Sequence, residues 1–243
     1  MPRERQDVDT GETRTDGGVS SDLTKKRQVF AWALYDWANS AFSTLSITVL
    51  VSYIKDDVFP GNAGTLLWGW GIGTTMLVAG VLSPIVGAIA DAHASKRRWL
   101  AGTALPGAVA ASLLFFATPD MPFLVAGLFL ASTLLYELSI GFYNGFLPEI
   151  AGDDDMDRVS AWGFALGYIG GGLALAIVIG IFFLGDQLGL PTENAFRKRV
   201  GLLLMGLWWG IFTIPTRLNL CDQRPATKQP RPVPRAVNCS RGL

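Results

Sequence analysis

Charge is scarce in this chain. Of its 243 residues only 16% are Asp, Glu, Lys or Arg, while half are hydrophobic. An ordinary soluble domain carries roughly 25% charged residues, so the deficit points away from water. Histidine is nearly missing: His93 is the only one, and a lone imidazole in a basic loop reads as solvated rather than as a metal ligand. The two cysteines, Cys221 and Cys239, both fall near the C-terminus. Neither a disulfide framework nor a Cys-based metal site can therefore hold the hydrophobic body together. That body also lacks a Ser/His/Asp or Cys/His set, which excludes the usual proteolytic chemistry. A glycine-rich run at 167–172 has no strand–turn–helix context, so it is not a dinucleotide fingerprint. No enzymatic activity, cofactor, metal or nucleic-acid partner is expected.

What is abundant is apolar length. The mean hydropathy of +0.34 is held down only by polar ends. A spanning helix needs roughly 20 mostly apolar residues, and six stretches meet or approach that requirement: 29–54, 66–90, 99–118, 121–148, 159–185 and 200–216. Six such segments in succession leave almost no polar face for water, which excludes a soluble helical core. Runs of this length suit helices rather than barrel strands. The expected fold is an all-α membrane protein of six transmembrane helices, 29–216, with the bilayer as its first partner. Residues 1–28 are polar and mixed in charge and read as a disordered cytoplasmic lead-in rather than a signal peptide. Residues 217–243 are rich in Pro and Arg and read as a disordered tail, or as out-of-frame translation at the end of a truncated gene.

Lys and Arg set the orientation. With the N-terminus inside, the inner segments hold 16 of the 20 basic residues, and the outer ones hold Lys55, Arg197, Lys198 and Arg199. The prediction is N-in and C-in, with the Arg197–Arg199 cluster as its one contrary sign.

Two carboxylates lie within the spans. Asp36 sits about 7 residues into the first helix, roughly 10 Å from its inner end at 1.5 Å per residue. At that depth a carboxylate costs on the order of 2.5–3.5 kcal/mol, so it must face the bundle or an aqueous cavity. Tyr35, Trp37, Asn39 and Ser40 surround it in sequence. Two readings fit: a structural carboxylate bonded to a neighbouring helix, or a substrate or proton site. Glu137 invites the same argument, with Tyr136 beside it and Asn144 two turns on. Inverted three-helix repeats would make the first and fourth helices correspond and let both carboxylates line one cavity.

In the fifth helix Gly163, Gly167 and Gly171 recur every four residues, a spacing that permits close helix packing. The loop after the second helix reads GAIADAHASKRR at 87–98. It resembles the cytoplasmic loop signature of the major facilitator superfamily through Gly87 and Asp91, with the basic cluster Lys96, Arg97 and Arg98 coming slightly later than in that signature. Ala92 and Ala94 stand where that signature has a basic residue and a second Gly. The resemblance implies a charge relay that helps gate a transporter.

Three further segments, WALYDWANSAF at 32–42, FLPEI at 146–150 running into VSAWGFALGYIG at 159–170, and LWWGIFTIP at 207–215, are similar to the vacuolar effluxer branch of that superfamily. The branch includes the fungal autophagy-related amino-acid effluxer and bacterial relatives. The resemblance implies the N-terminal half of a twelve-helix secondary transporter, set in a bacterial cytoplasmic (inner) membrane. It implies a small solute, with amino acids among the candidate substrates and protons a candidate coupling ion. Because the transport site of this superfamily lies between two halves, three outcomes stay open: pairing with a second half, homodimerisation, and an inactive remnant.

Overall fold

With no water in the bilayer core, backbone N–H and C=O groups must bond within their own segment, and the long apolar runs accordingly coil into helices. The computed structural model describes residues 16–223 and 237–238, with side chains from Thr24 to Asp222 except at Asp153. Its six long helices are α1 (Asp16–Leu45), α2 (Asn62–Ala92), α3 (Lys96–Leu113), α4 (Pro122–Ile150), α5 (Met156–Leu184) and α6 (Asn194–Asn219). Two π-helical turns, Ser46–Leu50 and Tyr53–Val58, continue α1, and a 3-10 turn, Asp153–Asp155, leads into α5. Strands β1 (Asp222–Gln223) and β2 (Val237–Asn238) pair antiparallel after α6.

Helices α2, α4, α5 and α6 are long and apolar enough to cross a membrane. The other two differ for visible reasons. α1 carries Asp36, Asn39 and several hydroxyls before it passes into π geometry, and α3 has 18 residues opening on Lys96, Arg97 and Arg98. α6 is longer than the apolar run at 200–216 because its first turns carry Arg197, Lys198 and Arg199.

The ends of the body extend beyond 29–216. α1 begins at Asp16, inside the stretch read from sequence as lead-in, and residues 1–15 lie outside those described. Past α6, Leu220 and Cys221 are buried. Of the expected disordered tail, residues 224–236 and 239–243 lie outside those described.

α1 packs on α5 and α6, α3 packs on α4 and α6, and α2 packs on α4. The centre is aromatic: Phe42 stacks on Tyr136 at 4.6 Å between ring centroids and meets Trp209 at 5.0 Å. The outside is apolar too. Only 11% of the most apolar window of α2 is buried, and Trp70, Leu77, Val81 and Ile85 are exposed along it. A surface of that kind is matched by lipid rather than by water.

Apart from Asp36 and Glu137, the charged side chains among the described residues gather at the two ends of the bundle. At one end Arg27 Nε donates to Asn219 Oδ1 (2.6 Å), joining the start of α1 to the end of α6. Lys96 reaches Glu149 and Lys25 reaches Asp155 at the same end. At the other end Lys198 bridges Asp57 (2.7 Å) and Asp56 (3.3 Å), Arg197 pairs with Asp186, and Arg199 donates to the Phe115 carbonyl (3.1 Å).

Candidate functional site

Residues four apart on a helix lie on one face. Trp32, Asp36, Asn39, Ser40, Ser43 and Thr44 therefore form a single stripe on α1, and a polar stripe cannot face hydrocarbon without cost. It faces a cavity of about 560 Å³, within the usual 300–1,000 Å³ range of small-molecule sites. α4 supplies the second wall at the same spacing, through Tyr136, Ile140, Tyr143, Asn144 and Leu147. α5 closes the third with Ser160, Phe164, Gly167 and Tyr168.

Asp36 is the only carboxylate, and the only ionisable acid or base other than tyrosine, among the described residues lining this cavity. It is half-buried, and its one hydrogen-bond donor among the described residues is Asn39 Nδ2 at 3.4 Å. That distance is long for a charge-assisted bond, which normally lies near 2.7–2.9 Å. The carboxylate is thus desolvated, weakly held and open to the cavity. Asn144 lines the cavity as well.

Tyr35 lies elsewhere. It is fully buried, donates to Ser139 Oγ (2.7 Å) and accepts from Trp209 Nε1 (3.4 Å), so it ties α1 to α4 and α6 behind the cavity wall. Glu137 is also apart. A helix turns about 100° per residue, and with Tyr136 on the cavity face Glu137 is half-exposed outside its lining. The structure therefore brings together Asp36, Asn39 and Asn144 but not Glu137. The aromatic walls were not singled out from sequence: Trp32 stacks on Tyr143 at 4.5 Å and its indole N–H donates to the Tyr143 carbonyl at 3.0 Å. Their signal was helical spacing: Trp32 lies four residues before Asp36, and Tyr143 seven after Tyr136.

The position of Asp36 depends on the glycines of α5. A Cβ on Gly163 would lie 2.5 Å from the Trp32 ring, and one on Gly167 would lie 2.7 Å from Ser40 Oγ and 2.9 Å from Asp36 Oδ2. On Gly171 it would meet Thr44 Oγ1 at 2.6 Å. α5 can lie this close to the polar stripe only because these positions carry no side chain.

At the end of the bundle near Arg27, Lys96 Nζ is 2.8 Å from Asp91 and 2.5 Å from Glu149, and it donates to the Gly145 carbonyl at 3.2 Å. Burial opposes the Lys96 ammonium, but Asp91 and Glu149 outweigh it and hold its pKa above that of an ordinary lysine. The latch thus keeps its charge through the neutral range, and joins the α2–α3 loop to the end of α4. Glu149 was quoted only as part of a motif; its partner lies 53 positions away, too far for any local signal. Arg97 turns to the other side, its backbone N–H donating to Asp222 Oδ1 (2.8 Å) and its guanidinium to the Leu220 carbonyl (3.4 Å). Arg98 is exposed, and nothing lies within 4 Å of a Cβ placed on Gly87.

Ala94, two residues past the end of α2, has φ 47°, in the left-handed region, and the Ser95 N–H closes the turn on the Ala90 carbonyl at 2.9 Å. This is the helix-stop geometry that glycine satisfies most easily. Ala94→Gly is expected to stabilise the fold by about 0.5–1 kcal/mol, since the left-handed cost of roughly 1–2 kcal/mol exceeds the added chain entropy. A rise in the detergent melting temperature checks it, and a fall would contradict it.

Residues 70–239 match the protein family described as vacuole effluxer Atg22 like. The chain is 27% identical over 209 residues to an uncharacterized MFS-type transporter, YxiO, of Bacillus subtilis (strain 168), covering 84% of this chain and 49% of that protein. Autophagy-related protein 22 of Pyricularia oryzae is 37% identical over 85 residues, 35% of this chain and 11% of its own. Autophagy-related protein 22-1 of Neosartorya fischeri is 38% identical over 63 residues, 26% of this chain and 9% of its own. The chain spans about half the length of the Bacillus relative, and its matches cover about a tenth of the fungal ones. No solved structure matches it at a comparable level.

Proposed function

The chain belongs to the vacuole effluxer Atg22-like family of the major facilitator superfamily, and from that premise we propose that it forms one wall of a pathway carrying amino acids across a bacterial inner membrane. It acts as a transporter rather than an enzyme. All six helices cross the bilayer with both ends of the bundle chain inside, and the open side of the cavity is closed by a second helical bundle. Protons are the coupling ion.

The observation that carries the reading is the single carboxylate, among the described residues, in a cavity within the size range of small-molecule sites. Asp36 attracts the ammonium of a zwitterion, Asn39 and Asn144 offer amide groups for its carboxylate, and the aromatic walls take the side chain. The orientation is supported by the clustering of Arg27, Lys96, Arg97 and Lys25 at one end. The contrary cluster at Arg197–Arg199 is outnumbered: with Lys55 it makes four of the 20 basic residues, against 16 in the inner segments.

Counterflow of labelled amino acids across vesicles containing the protein tests this. Neutral and cationic amino acids are expected to exchange, with acidic ones excluded at least tenfold because a second negative charge would face Asp36. Equal exchange of acidic amino acids, or none of any class, would overturn it.

A further inference from the structure

A second groove, of about 490 Å³, runs along the seam between α1 and α5 near the Arg27 end of the bundle. Lys25, Lys26 and Arg158 stand at its mouth, and Val29, Phe30, Ala33, Trp162 and Leu166 form its body. Asp155 is the one carboxylate in its lining among the described residues. It lies 3.6 Å from Lys25 and 2.9 Å from Arg158, and so spaces these two cations.

The groove is not the transport cavity. Its α5 residues are Val159, Trp162 and Leu166, whereas the cavity uses Ser160, Phe164 and Gly167. The two hollows lie on opposite flanks of the same helix pair, and this one faces outward. Phe30 and Trp162 are 62% and 63% exposed. An indole such as that of Trp162 suits the level of lipid headgroups.

We propose that this groove binds one anionic phospholipid. Its phosphodiester sits among Lys25, Lys26 and Arg158, and the upper part of an acyl chain lies along Phe30, Ala33, Trp162 and Leu166. The change from basic to apolar lining occurs within two turns of α1, from Lys26 to Ala33, roughly 10 Å at 1.5 Å per residue. That is the distance over which a phospholipid itself changes from charged to hydrocarbon. A zwitterionic headgroup brings its own ammonium, which the same three cations repel, so the site selects net negative charge. Basic pockets of this kind, between spanning helices at the positive side, have the chemistry for anionic headgroups. The inference requires that α1 and α5 cross the bilayer, but not that the cavity carries amino acids.

The test uses the full chain in detergent, stripped of lipid, with tryptophan quenching by brominated phosphatidylglycerol or brominated phosphatidylcholine. Phosphatidylglycerol is expected to bind saturably and about tenfold tighter, in line with the gain per basic residue near an anionic surface. Trp162→Phe should remove most of the saturable quenching. The Lys26→Gln/Arg158→Gln double variant should abolish the preference, while Lys26→Arg/Arg158→Lys keeps it, so a folding defect is recognised. Equal binding of the two lipids, or a preference that survives the double glutamine variant, would overturn the proposal. Displacement of the lipid by soluble glycerol phosphate would also overturn it, in favour of a site for free phosphate.

Discussion

Asp36→Asn is expected to lower amino-acid counterflow by at least tenfold and, in the same protein, to raise the melting temperature. The two signs together separate function from structure. Holding a carboxylate at this depth costs on the order of 2.5–3.5 kcal/mol, and a single donor at 3.4 Å returns little of that. The amide is uncharged and can still bond Asn39, so the fold gains. The solute loses: a hydrogen bond to a charged group is worth about 1.5–3 kcal/mol, or roughly 10- to 150-fold in binding. Asp36→Glu keeps the charge but moves it by one methylene, and should retain part of the exchange. If Asp36→Asn exchanged normally and melted lower, the carboxylate would be a structural one and would leave the mechanism.

The second large effect is expected in α5, where two neighbouring glycines should respond oppositely to the same methyl group. A Cβ on Gly170 would lie 2.7 Å from the Trp37 carbonyl oxygen and 3.1 Å from its Cα, atoms that cannot swing aside. Gly172 has nothing within 4 Å. Gly170→Ala should therefore destabilise by about 2–3 kcal/mol, as overpacking does elsewhere. Gly172→Ala should be neutral or gain up to about 1 kcal/mol from helix propensity. Thermal unfolding in one detergent, followed by tryptophan fluorescence, decides it. Equal melting temperatures for the two variants would mean that the α1–α5 contact does not limit stability.

Much of the architecture could be read before folding, because hydrocarbon leaves few choices. Long apolar runs must be helices, and a charge inside one of them stands out against that background. Asp36 was visible for this reason, and Asn39 and Ser40 followed from their places one turn on. Glu137 stood out on the same ground, yet it lies beside the cavity lining rather than in it. The face that α4 turns inward is chosen by the stacking of Tyr136 on Phe42 and of Tyr143 on Trp32. Those partners lie about a hundred positions away, and no local pattern announces them. Lys96 and Glu149 meet across a similar silence. The π-helical turns after α1 are also mute in sequence, since they alter hydrogen-bond register without a residue type of their own.

The glycines along α5 carry a genetic consequence. Every single-base missense change of a glycine codon installs an amino acid with a Cβ. At Gly163, Gly167, Gly170 and Gly171 the nearest atoms would then lie 2.5 to 2.7 Å away, and intolerance should be greatest at Gly170 and Gly171, which face the α1 backbone, and least at Gly167, which faces only the Ser40 and Asp36 side chains. Gly172 and Gly180, where nothing lies within 4 Å, can accept small uncharged residues. A mutational scan of the gene should show four intolerant columns set among permissive ones on one helix, spaced to follow the groove of its neighbour.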